Sequence, residues 1–395
     1  MSLFKYFRPG IYLEKALRYN ELYFSANHEL NDPNDLVSFY KFEDDESLWY
    51  RLLALPAAYE SWDIKQLYCS EQNLVKSLNG LFKEKKISSD FFSLQRFFKE
   101  INSELEKALI PFLNERLSKD EGEGEGEGEN DNGNGNGNED KEKKLNHRLA
   151  LFKLYLMELL ARGVNIKFFS VSFSIDALNP MMWAHYADGF KGCVVIYKAE
   201  NDIINITENL YSNRYVPTSV LNVSYDDGDK SIPLIRCAST DDKKVLIQNK
   251  LLIKNKFWSY ENEKRAFVIS EEKSSFIANM PEDSYRINPR ERIFHHYPNE
   301  IIGVIFGPNF DTIKKEKVEH ILRINRHFTH SGDFFVFYTK LSPSGEIEIN
   351  EGRKCIVTDH LGNFGLSSEI LNDAKLDKLK NLIGIKSHIP LSDTK

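Results

Sequence analysis

Cysteine is scarce: the 395 residues hold four, Cys69, Cys193, Cys237 and Cys355, far apart and with no CxxC pair. That spacing excludes a cysteine-based zinc cluster and a disulfide framework and predicts reduced core thiols. Long apolar runs are missing too. The opening MSLFKYFRPG carries no signal-like stretch, and no later run approaches bilayer-spanning length, so the expectation is a cytoplasmic chain that makes no membrane contact. The chain also lacks GxGxxG, GxxxxGK[ST], GxSxG and HExxH, which removes motif support for a Rossmann domain, a P-loop, a hydrolase elbow or a zincin. Nor is there a basic surplus. With 59 acidic against 52 basic residues the net charge is -7, so the overall field repels nucleic acid, and an anionic ligand needs a local basic site.

What the chain does have is ample apolar content. At 41% hydrophobic and 12% aromatic residues it can bury a large core, as one elaborated domain or two. Residues 3–35 read as strand (LFKYF), helix (11–19), strand (ELYFSA) and an Asn/Asp/Pro turn. From 41 to 162 the apolar residues recur three and four apart, which predicts a helical insertion. Inside it the acidic, glycine-rich tract at 121–140 has nothing to bury and is expected to be disordered. Beyond 163 strand-like segments return (KFFSVSFS, GCVVIY, RAFVIS, IIGVIF, DFFVFY). The predicted fold is therefore α+β: a twisted, mostly antiparallel sheet built from 1–40 and 163–350, with the large helical insertion between and a C-terminal tail from 351 to 395.

Three constellations carry candidate chemistry. Lys5, Tyr6 and Arg8 lie on or beside the first strand, followed by Ser25 and the turn Asn31-Asp32-Pro33-Asn34-Asp35. Cations and hydroxyls at strand ends can grip a diphosphate, while the same turn is a good Asx-turn sequence without any ligand. In SVSFSIDALNPMMWAHYADGFKG, Asn179 is an N-cap with Pro180 at the first helical position. Trp183 and Tyr186 then share a helix face near Ser172 and Ser174; they would stack on a flat ring or simply belong to the core. In KFWSYENEKRAFV, Glu261 and Glu263 would point the same way if extended, whereas a helix would make Glu261 and Arg265 an ordinary ion pair. A basic island at Arg286, Arg290, Arg292, His295 and His296 would touch phosphates or stay a solvated loop. His327 and His330 form an HxxH pair without a third ligand at a telling spacing, so no metal site is expected. A metal-dependent nuclease using Asp32, Asp35 and Glu263 is a poorer option, because no lysine completes an ExK arrangement.

The ordered segments LFKYF…LYFSANHELNDPND, VSFS…MMWAHYADGFKG, FWSYENEKRAFV and YPNEIIGVIFGP resemble a bacterial family of unknown function, DUF2971, over roughly 1–40 and 163–350. More loosely, the layout is similar to the ADP-ribosyltransferase superfamily, some of whose members are toxins or phage-defence effectors. That resemblance implies an ADP-ribosyltransferase-like sheet and NAD as substrate. Glu263 would stabilise the ribosyl cation and Glu261 would orient or deprotonate a nucleic acid or protein acceptor. Lys5 and Arg8 would hold the diphosphate, and Tyr186 or Trp183 would stack on nicotinamide. Lys5 stands where that superfamily has His or Arg. The alternative is a non-catalytic nucleotide- or nucleic-acid-binding regulatory module.

Overall fold

The computed structural model describes residues 2–37, 39–56, 72–88, 91–122, 137–271, 289–329, 331–360 and 363–386. Among them are seventeen strands: β1 (Ser2–Phe7), β2 (Glu21–Tyr23), β3 (Phe39–Lys41), β4 (Lys86–Ser88), β5 (Ile166–Ser174), β6 (Cys193–Lys198), β7 (Ile203–Thr207), β8 (Val216–Asn222), β9 (Ser224–Tyr225), β10 (Ile232–Pro233), β11 (Ile253–Lys254), β12 (Glu263–Glu271), β13 (Ile293–His296), β14 (Ile301–Phe306), β15 (Phe334–Leu341), β16 (Ile347–His360) and β17 (Asn363–Ile370). Twelve of them form one sheet in the order β17-β16-β15-β14-β6-β1-β5-β12-β8-β7-β13-β2. Its strand pairs are antiparallel apart from β14 with β15. The α+β, mostly antiparallel expectation therefore holds.

Strand alternation builds the two faces. On β6, Cys193, Val195 and Tyr197 face one core with the helices at Ile11–Tyr19 and Thr312–Phe328, while Val194 and Ile196 face another with Trp183 and the helix at Asp373–Ile383. The far end of the sheet curls. Ser25, just past β2, bridges back to Ser170 on β5 (N···O 2.7 and 3.0 Å), so the run β5, β12, β8, β7, β13 and β2 curls round on itself through this one bridge.

Two features depart from the sequence-based expectations. Residues 351–360 and 363–370 are not a tail: they lie in β16 and β17, an antiparallel pair at the sheet's edge, and the helix at Asp373–Ile383 packs its Leu376 and Ile383 beneath it. The polar residues interleaved in IEINEGRKCIV hide the strand, although Ile347 and Cys355 pack into the cores on opposite faces of the sheet. The helical block is real, with helices at Glu46–Leu53, Gln72–Phe82, Phe91–Glu100, Asn102–Gly122 and Gly137–Val164. It is not self-contained, however. Its core takes in Leu234, Ile235 and Cys237 from a later helix and reaches Phe168 on β5 and Phe267 on β12. Of the tract at 121–140, residues 121–122 end one helix and 137–140 begin the next; residues 123–136, for which disorder was expected, lie outside the described residues. Among the described residues no helix is long and apolar enough to cross a membrane.

Candidate functional site

β5 divides one of its edges between two neighbours. Phe4 of β1 pairs with Ser174 at one end, Ser25 takes Ser170 further along, and β12 runs along the opposite edge. Between the two rungs the edge opens at Ser172. A cavity of about 210 Å³ occupies this fork. Its walls include Lys5, Tyr6, Ser25, Asp32, Ser172, Tyr186, Glu261 and Glu263, so eight of the ten residues proposed from sequence converge.

The other two do not line it. Arg8 is exposed and donates only to the His185 carbonyl, at 3.4 Å. Trp183 is fully buried; its Nε1 donates to the Ala177 carbonyl (2.9 Å) and its ring meets Tyr6 edge to face at 5.6 Å. Trp183 is a core residue, and neighbouring Met182 reaches the cavity in its place. The helix carrying both is capped as the sequence predicted, with Asn179 Oδ1 accepting from Met181 N and Pro180 at the first position. Three consecutive left-handed residues, Asp188, Gly189 and Phe190, then bring Gly192 so close to β1 that a Cβ would lie 2.2 Å from the Phe7 carbonyl oxygen. This turn sets the helix, and with it Tyr186, beside the fork.

The glutamates converge by a kink. Glu261 ends a 3-10 turn (Lys256–Glu261), Asn262 is left-handed (φ 43), and Glu263 opens β12. Neither a plain extended segment nor a Glu261–Arg265 helical pair describes it. Between them stands Lys254, on β11, with its Nζ 2.6 Å from Glu261 Oε2, 3.2 Å from Glu263 Oε2, 3.4 Å from Asp35 Oδ2, and over the Trp258 ring at 5.0 Å. Arg265, 1% exposed, forks onto both Asp35 oxygens (2.7 and 2.6 Å) and both Glu263 oxygens (2.7 and 3.0 Å). Asp35 thereby anchors the Asn/Asp/Pro turn to β12.

Sequence inspection missed Lys254 altogether. It sits in a lysine-rich stretch (QNKLLIKNKFW) that looks solvated, with Leu251, Leu252 and Ile253 beside it as the hint of burial. The sequence points to Asp35 only as part of the turn or as a metal ligand; in the structure its carboxylate is paired with Arg265 and Lys254, and among the described residues there is no group of three His, Cys, Asp or Glu that could hold a metal.

Electrostatics separates the two glutamates. Burial alone would raise the Glu263 carboxyl, but Arg265 and Lys254 hold it down to about 2. Burial raises Glu261 above the usual glutamate range, with Glu263 adding to the shift and Lys254 opposing it. Tyr186 donates to Glu261 Oε1 at 2.5 Å, and burial together with that carboxylate pushes its phenol well up. Lys5 donates to the Ser172 carbonyl (3.2 Å), and burial lowers its ammonium to about 8. Asp32 Oδ1 accepts from Asn34 N at the rim.

Among the described residues of the basic island, two are drawn into the interior. Arg292 is buried under Tyr23 and Phe169 and paired with Glu29 (2.6 and 3.0 Å), and His296 is fully buried. Arg290 is exposed, and Arg286 lies outside the described residues. Of the HxxH pair, His330 also lies outside them. Cys193, Cys237 and Cys355 are free and buried, as expected; Cys69 is outside the described residues.

A family model described as a protein of unknown function (DUF2971) matches residues 182–266. The matched stretch contains Tyr186, Lys254, Glu261, Glu263 and Arg265 and stops short of Lys5 and Asp35 on the N-terminal side. No curated protein and no solved structure matches the chain.

Proposed function

We propose that the cavity binds NAD and that the protein transfers ADP-ribose from it to a nucleic acid or protein acceptor, in the manner of the ADP-ribosyltransferases its motif order resembles. A toxin or phage-defence setting comes with that analogy alone. One observation carries the reading: Lys5 on β1, Ser172 on β5 and the Glu261/Glu263 pair at the start of β12 reach one cavity from three adjacent strands. Breaking the bond between ribose and nicotinamide develops positive charge on the sugar, and carboxylates lining the cavity would stabilise that charge in the transition state. An ammonium has three donors, of which the Ser172 carbonyl takes one of Lys5's, so a diphosphate oxygen is a fitting second partner. The Tyr186 ring offers a face to nicotinamide. At about 210 Å³ the cavity is smaller than the roughly 300–1,000 Å³ that encloses a drug-sized ligand, so it takes the nicotinamide riboside end and leaves adenosine outside, near Asp32.

The test is calorimetric titration of the full chain with NAD beside chromatographic detection of nicotinamide. The expectation is binding with release, and binding weakened about tenfold or more in Lys5→Ala. Failure of the wild-type chain to bind NAD at millimolar concentration sinks the proposal. A second reading, a non-catalytic nucleotide- or nucleic-acid-binding regulatory module, draws on a specific feature: Arg265 and Lys254 already engage both Glu263 oxygens. NAD binding without nicotinamide release is its expected outcome.

A further inference from the structure

We propose that Lys5 is a reactive amine that condenses with an aldose held in the cavity, and, relying on the NAD reading for the sugar's identity, that this aldose is the ADP-ribose freed when water is the acceptor. The two lysines in the cavity wall are opposites. Lys254 has Glu261, Glu263 and Asp35 around its Nζ and stays an ammonium ion. Lys5 forms no ion pair with any described residue: its Nζ donates to the Ser172 carbonyl and stands 5.8 and 5.6 Å from the ring centres of Phe7 and Phe173. Strand alternation lays its stem on the face of β1 that carries Leu3 and Phe7, both packed into the core on that side of the sheet. The backbone beneath it is fixed, because β1 pairs with β6 throughout its length and Lys5 lies opposite Val195. A lysine that is desolvated and has no counter-ion is suited to form an imine with a carbonyl compound. Its lowered ammonium, a shift that Glu263 opposes, accords with that placement.

The walls decide which carbonyl compound fits. Glu261 and Glu263 repel an oxo acid, whose carboxylate adjoins its carbonyl, whereas sugar hydroxyls can donate to both. Ser25, Ser172 and Tyr186 add hydroxyls of their own. In the step this assigns, the sugar opens to its aldehyde and the Lys5 nitrogen forms a bond to C1. The nitrogen gives up both of its protons to the carbonyl oxygen, which departs as water, and a C=N double bond remains. No oxidant or reductant enters. While NAD is bound the ammonium form serves the diphosphate; the amine form reacts once nicotinamide has left and the C1′ hemiacetal can open.

The test is reductive trapping on the full chain. The protein is incubated at pH 7.5 with ribose 5-phosphate or ADP-ribose and sodium cyanoborohydride, and the modified lysines are mapped by peptide mass spectrometry. Lys5 is expected to react about tenfold faster or more than exposed lysines such as Lys314, because its amine is unprotonated more of the time. Lys5→Arg, which keeps the charge and removes the amine, is expected to lose the fast phase. Modification of Lys5 no faster than that of Lys314, or a fast phase that survives Lys5→Arg, overturns the proposal. The NAD reading stands or falls separately. Selective trapping in a chain that neither binds nor turns over NAD supports the reactive amine and removes ADP-ribose as its sugar. Nicotinamide release without selective trapping upholds the NAD reading and overturns the proposal.

Discussion

Two clusters of buried ionisable groups lie on the same sheet and solve the same problem differently. Around the cavity, Asp35, Glu261 and Glu263 face Lys254 and Arg265, every charge has a counter-ion within 3.4 Å, and the charges persist. Near the middle of the sheet, Tyr197, His296 and Glu300 are equally buried but have no such partners. Among the described residues the Tyr197 hydroxyl, His296 Nε2 and Glu300 Oε2 find no hydrogen-bond partner, and His296 Nδ1 stands 3.9 Å from Glu300 Oε2. Here burial neutralises. It drives His296 down to about 3, so that its Nδ1–H donates to the Tyr297 carbonyl at 2.8 Å, and it raises Glu300 to about 7 despite two hydrogen bonds from Asn205. Ion pairing is thus what distinguishes a place where charge is kept for use from one where the fold discards it.

Breaking the matched cluster should have the largest effect. Arg265→Met removes the cation that both Asp35 and Glu263 share and should cost about 3–5 kcal/mol, because two buried carboxylates lose their partner; urea unfolding at pH 7.5 measures it. Lys254→Met should cost less, about 2 kcal/mol, since Glu261 can respond by taking a proton. That response gives a sign: the loss should be greater at pH 8 than at pH 5, and a pH-independent loss would contradict the matched-charge account. The smallest effect, of opposite sign, belongs to the other cluster. A carboxyl raised to about 7 binds its proton more tightly folded than unfolded, so Glu300 subtracts stability progressively as pH rises from its unfolded value, near 4.5, through 7. Glu300→Gln should therefore leave stability nearly unchanged at pH 4.5 and raise it by about 1–2 kcal/mol at pH 8, seen as a flatter dependence of melting temperature on pH.

The same contrast explains what was legible in the sequence. The opening strand, helix and strand could be read because their periodicities are local, and so could the Asn179–Pro180 helix start, because a cap is a property of a few adjacent residues. That Glu261 and Glu263 share a cleft was also legible, although the left-handed Asn262 that turns them together was not. Lys254 and Asp35 are invisible as a pair in the sequence because their burial depends on β11 finding β9 and on a turn 230 residues from Arg265 finding β12. Trp183 was assigned to ligand stacking because helical spacing fixes which residues share a face and says nothing about what that face meets. Residues 351–360 and 363–370 do not read as strands because polar residues interrupt the apolar alternation along β16.

The first strand in the chain lies in the middle of the finished sheet, between β6 and β5, joined through Ser2 to Lys198 and through Phe4 to Ser174. At a synthesis rate of about 5–20 residues per second, β1 leaves the ribosome roughly 10–30 s before Ser174 exists to receive it. The helices from Glu46 onward have local partners and can condense during that interval. The nascent chain therefore carries an unclaimed apolar β-segment through much of its translation, and holdase chaperones that mask such segments should govern its soluble yield more than the final stability does.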